Sequence, residues 1–115
     1  MGRSRYRMIE SQSPHFLTCT VLDWLPLFTR PTTVQIVLDA LQYRQQQQGW
    51  RIYGYVILEN HLHMVVQADD LPSQLAHFKS YTARQLIDYL HSVKAERLLS
   101  QLRWGRKAHK TDREY

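Results

Sequence analysis

The chain has 115 residues, enough for one compact domain and too few for two. Apolar residues make up 43% and aromatics 11%, a composition that supplies a core and excludes global disorder. Lys and Arg number 15 against 10 Asp and Glu, and the resulting +5 charge and pI near 9.6 favour a polyanionic partner such as nucleic acid.

Residues 1–14 are polar and carry Arg3, Arg5 and Arg7, which suggests a basic arm. They lack the apolar segment of a signal peptide. Residues 16–22 are rich in β-formers and predict a first strand. The lone cysteine, Cys19, lies in it. One cysteine excludes an intramolecular disulfide framework and a cysteine-based zinc site, so Cys19 is expected as a small buried residue. Pro26 and Pro31 bracket a loop, and Thr32 or Thr33 is placed to cap a helix. Val34, Val37, Leu38 and Leu41 have helical spacing, the glutamines at 45–48 suit a solvated last turn, and Gly49 supplies the stop.

Residues 51–57 and 61–67 predict two further strands, joined by Leu58-Glu59-Asn60 with Asn60 suited to positive φ. Asp69 to Ser73 breaks the strand, with Ser73 a candidate cap for the next helix. That helix aligns Leu75, Phe78, Thr82, Leu86 and Tyr89 or Leu90 on one stripe, with Lys79 and Arg84 off it. Ser92-Val93-Lys94 interrupts it, and residues 95–102 predict another short helix. From Arg103 onward the chain is polar and basic. The domain is expected over residues 15–103, followed by a basic tail at 104–115. No run reaches the roughly 18 apolar residues of a membrane helix, so the expectation is a soluble, cytoplasmic protein with no membrane partner.

The order β-α-β-β-α plus a helical tail predicts an α+β fold. It is most of a ferredoxin-like split βαβ arrangement, with an antiparallel sheet but one strand short. Helices then cover one sheet face and leave the other open. Strand alternation assigns Leu62, Met64 and Val66 to the covered face and His61 and His63 to the open one.

Two histidines at i and i+2 on a strand project from the same face and can close on one divalent ion. The same pattern is also met as two half-exposed strand residues. Metallohydrolases that use His-x-His follow it closely with Asp-His; here Met64-Val65-Val66-Gln67 follows, so the ligands for a hydrolase of small substrates are missing. His15, His77, His91 and His109 have no ligand spacing with the pair, which argues against a structural zinc.

The run Tyr55-Val56-Ile57-Leu58-Glu59-Asn60-His61-Leu62-His63-Met64-Val65-Val66 resembles the signature of the single-tyrosine HUH transposases. HUH stands for His-hydrophobe-His. The closest subgroup is the IS200-like transposases associated with repetitive extragenic palindromes. Phe78-Lys79-Ser80-Tyr81-Thr82-Ala83-Arg84 resembles their segment in the helix after the HUH strand, and Pro14-His15-Phe16-Leu17-Thr18-Cys19-Thr20 resembles their first strand. The resemblance covers most of the chain in order. It implies DNA transposition: metal-dependent nicking and rejoining of single-stranded DNA at hairpin-bearing sites, through a 5′-phosphotyrosine. It further implies that His61 and His63 bind Mg²⁺ or Mn²⁺, and imidazole suits Mn²⁺ better.

Two departures limit it. Many relatives have Pro where this chain has Glu59, a change a turn tolerates. The family's nucleophile lies in a segment resembling Tyr-Ile-His-x-Asn-Pro. Tyr89-Leu90-His91 matches only its first three letters, on the wrong helix, and Ser92-Val93-Lys94 follows. The resemblance therefore implies a truncated, catalytically impaired copy whose last strand and nucleophile helix are missing. Such a copy has an exposed sheet edge and leaves room for a homodimer. Candidate DNA contacts are Arg3, Arg5, Arg7, Lys79, Arg84, Arg103, Arg106, Lys107 and Lys110, with Trp104 as a base-stacking residue and Trp50 assigned to the core. The competing reading is a non-catalytic basic module that binds nucleic acid through its sheet face, with the histidines incidental.

Overall fold

A computed structural model describes residues 13–20 and 26–112, with side chains as far as Trp104. Strand β1 (His15–Thr20) is followed by a 3-10 turn (Leu27–Thr29) and helix α1 (Pro31–Gln47). Strands β2 (Arg51–Ile57) and β3 (His61–Gln67) come next, then helices α2 (Leu71–Ser92) and α3 (Glu96–Asp112). The fold is α+β. The sheet order is β1-β3-β2 and both pairings are antiparallel, so β1 and β2 point the same way with β3 between them. No helix of the described residues is long and apolar enough to cross a membrane.

Burial along β3 alternates residue by residue, as a strand covered on one face requires. Leu62, Met64 and Val66 are buried and join Leu17 and Cys19 of β1 against Val37 and Leu41 of α1 and Leu71, Leu75 and Phe78 of α2. Each such side chain contributes about 1.5–3 kcal/mol by leaving water, so this layer fixes which sheet face is inside. The α2 stripe continues through Leu86 and Leu90 into a second cluster with Leu27 and Leu99, which docks α3 and the 3-10 turn. Phe28 packs against both clusters.

Trp50 is core, as expected. Its ring lies 5.5 Å from Phe78, and its indole N–H donates to Gln74 Oε1 at 2.7 Å. The Gln74 amide in turn donates to the Asp69 carbonyl at 2.8 Å, tying the start of β2 to the start of α2. Gly49 has φ +70, the left-handed conformation that ends α1.

The helix starts differ from the sequence expectation. Neither Thr32 nor Thr33 caps α1: its N-cap is Arg30 and Pro31 opens the first turn. The buried Thr33 hydroxyl instead lies 2.8 Å from the Leu27 carbonyl and 2.9 Å from that of Arg30, clipping the 3-10 turn to the helix. Ser73 does not cap α2 either, since the N-cap is Asp70 at φ 51. Asn60 does not take positive φ; the hairpin is closed by Leu58 N–H donating to the His61 carbonyl at 2.8 Å. Helix α3 runs to Asp112, well past residue 102 and through the segment expected as a tail.

Candidate metal centre and open sheet face

His61 and His63 sit where alternation puts them, on the uncovered face of the central strand, each half-buried. Their ring centroids are 4.5 Å apart at 81°, so the imidazoles converge edge to face. His61 Nδ1 lies 2.6 Å from Asn60 Oδ1, and His63 Nδ1 lies 3.1 Å from Thr18 Oγ1. With the protons on Nδ1, both rings donate to these oxygens and Nε2 is the lone-pair nitrogen. Fixing a tautomer this way is how a second shell prepares a histidine for a metal. Phe16 adds a third restraint, stacking on His63 at 5.4 Å and 26°.

The fold delivers these partners from far along the sequence. Antiparallel register sets Thr18 beside His63 and Thr20 beside His61. The hairpin that carries Asn60 is held by the 3-10 turn, where Phe28 N–H donates to the Glu59 carbonyl at 2.8 Å. Asn60 therefore serves His61 as well as the turn. Gln67, farther along the same face, accepts a hydrogen bond from the Tyr53 hydroxyl at 2.7 Å, a structural role.

The donor set fits a divalent ion as a two-imidazole half-site. Among the described residues no group of three or more His, Cys, Asp or Glu converges on one point. The remaining positions on an ion would thus fall to water and to substrate oxygens, as a catalytic rather than a structural centre requires. The histidines lie on the sheet face opposite the helices. A groove of about 380 Å³ between α1 and β2, lined by Leu38, Leu41, Ile52, Tyr53, Gly54 and Tyr55, contains neither histidine. An open face suits an extended polymer better than an enclosed small molecule.

Other candidate residues are not gathered here. Helix α2 packs beneath the covered face, so Lys79 and Arg84 stand away from the histidines; Lys79 lies near enough to Cys19 to act on its thiol electrostatically. Phe78, in the segment that resembles the transposases, is a core residue at 1% exposure. Arg103 and Trp104 are exposed on α3, Trp104 at 74%. Arg3, Arg5 and Arg7, and the side chains of Arg106, Lys107 and Lys110, lie outside the described residues.

Cys19 is buried, and burial pushes its thiol above the ordinary value while the Lys79 charge pulls weakly the other way. It is a packing residue. Thr18, Phe16 and Tyr53 are the residues of this face that sequence reasoning missed. Their only signal was alternation in β1 and β2, which names a face but not a neighbour. Comparison with protein-family models, curated proteins and solved structures finds no match to this chain.

Proposed function

We propose that this chain supplies the metal-binding and single-stranded-DNA-binding part of a single-tyrosine HUH transposase, built on a ferredoxin-like split βαβ sheet. The observation that carries the reading is the His61–His63 pair on the open face, each ring restrained through Nδ1. The β1-β3-β2 order, with β1-α1-β2 enclosing β3, agrees with that sheet plan.

In this reading His61 and His63 hold Mn²⁺ or Mg²⁺ through Nε2. When bound, the ion supplies Lewis-acid polarisation of a phosphodiester. Asn60 accepts from Nδ1 and so keeps His61 in one tautomer, Thr18 holds the His63 ring at Nδ1, and Phe16 limits rotation of that ring. Leu62, between them, anchors the strand to the core at 2% exposure, so the ligand spacing is set by packing. Basic side chains, Arg103 among them, neutralise the DNA backbone. The family reaction is attack by a tyrosine hydroxyl on the phosphodiester, giving a 5′-phosphotyrosine and a free 3′-hydroxyl. These 115 residues contain no counterpart of the Tyr-Ile-His-x-Asn-Pro segment, and we assign no nucleophile among them. The chain is read as cytoplasmic.

The second reading is a non-catalytic nucleic-acid module in which the half-exposed histidines of β3 are incidental. An Mn²⁺ titration followed by EPR separates the two. Saturable binding of one ion, lost in the His61→Ala/His63→Ala double variant, supports the transposase reading. Binding that the double variant leaves unchanged, or none at all, overturns it.

A further inference from the structure

The open face holds a second feature beside the histidine row. Register places Phe16, Val65 and Gly54 in one line across the three strands, adjacent to the line of Thr18, His63 and Val56. Strand spacing sets the Cα atoms of Phe16 and Gly54 about 10 Å apart. The middle of that line is low, because Gly54 has no side chain and a Cβ built there meets nothing within 4 Å among the described residues.

The two ends of the line carry aromatic rings. Phe16 is 59% exposed, although one side of its ring rests on His63. At the other end a β-bulge between Ile52 and Gly54 inserts Tyr53. Its hydroxyl reaches Gln67 of β3 at 2.7 Å, which holds the ring toward the sheet face, yet it too is 59% exposed. Exposed aromatics of this size are costly to leave in water and are favoured where planar ligands stack.

We propose that Phe16 and Tyr53 flank a seat, floored by Val65 and Gly54, that takes one unpaired base of single-stranded DNA next to the histidine pair. This rests on the nucleic-acid reading above and adds to it a residue-level base contact. A planar base needs a shallow floor between stacking surfaces, which the glycine opening provides. The chain's +5 charge supplies the complementary attraction for the flanking phosphates. An α-helical peptide or a lipid headgroup has no comparable use for a flat slot between two rings. The register shift takes Tyr53 out of the ladder, and its hydroxyl meets Gln67 on the histidine face.

The test uses the full chain in EDTA, so that no ion contributes, and a single-stranded oligodeoxynucleotide carrying 2-aminopurine. Wild-type protein is expected to quench the fluorophore on binding. Phe16→Ala should lower affinity roughly ten-fold and remove most of the quench. Gly54→Val is the decisive variant: its backbone is not in the left-handed region and a Cβ there meets no neighbour among the described residues, so the strand should fold with an unchanged or higher melting midpoint while the floor is filled. It should weaken binding by a similar factor. Wild-type, salt-sensitive binding with both variants unaffected would overturn the seat and leave the nucleic-acid reading standing. No binding by the wild-type chain would overturn both. Binding of the matching RNA strand in preference to DNA would overturn the assignment of the seat to DNA.

Discussion

Asn60 Oδ1 stands 2.6 Å from Nδ1 of its neighbour His61, so a hairpin residue also sets which ring nitrogen of that histidine carries the proton. Thr18 Oγ1 holds the His63 ring through Nδ1 in turn, at 3.1 Å across the β1–β3 pairing. Removing either oxygen frees the ring to change tautomer and to rotate. Asn60→Ala should weaken Mn²⁺ binding about 10–100-fold, the usual effect of losing a ligand's hydrogen-bond partner. Thr18→Val should act in the same direction. Isothermal titration with Mn²⁺ reads both, and unchanged affinity in both variants would show that the imidazoles are prepared by packing alone.

Lys94 ends α2 in the left-handed conformation, φ 56. Around it Lys94 N–H donates to the His91 carbonyl and Ala95 N–H to that of Leu90, the two bonds of a Schellman motif. Glycine is the residue that adopts this conformation without a Cβ clash. Lys94→Gly should therefore raise stability by about 0.5–1 kcal/mol, the relief of strain outweighing the greater freedom of the unfolded chain. Urea denaturation would show a higher midpoint at the same slope.

Thr82 lies on the buried stripe of α2 at 2% exposure, and its hydroxyl has no hydrogen-bond partner among the described residues. Its isostere valine keeps the shape and drops the stranded polar atom. Thr82→Val should stabilise the chain by about 1 kcal/mol, read as an increase in melting temperature. A decrease would mean that the hydroxyl does find a partner in solution.

Cys19 gives the pH dependence its sign. Burial raises the thiol above its ordinary value of 9.0, so the folded chain keeps this proton to higher pH than the unfolded chain does. Its contribution is fully present below pH 9.0 and is lost as pH rises through the raised folded value. Urea midpoints measured upward from pH 9.0 should fall more steeply for the wild type than for Cys19→Ala. Equal slopes would place the thiol in water.

Much of this was legible before the fold was seen, and the reasons divide cleanly. β2 and β3 were bounded correctly because Gly49, the hairpin residues and Asp69-Asp70 punctuate two runs of β-formers, of which only β3 alternates in burial. The α2 stripe was legible because Leu75, Phe78, Thr82, Leu86 and Leu90 repeat at helical spacing. Helix starts were not, since neither helix uses a side-chain cap: α1 opens on Pro31 behind Arg30, and α2 opens on Leu71 behind a left-handed Asp70. Helix α3 was cut short because nothing apolar repeats beyond Leu102 to extend the pattern. At the site, the histidine pair was legible from local spacing, while Thr18 and Phe16 became its neighbours only through register across more than forty residues.

β3 alone is hydrogen-bonded on both sides; β1 and β2 each present one outer edge among the described residues. Amide hydrogens of His61 to Gln67 should therefore exchange with solvent slowest in the sheet, after those of β2 have opened. The two imidazoles ride on the strand that opens last, so their spacing would outlast any partial opening of the sheet edges, and an ion bound between them would add to the stability of the whole domain rather than of one edge.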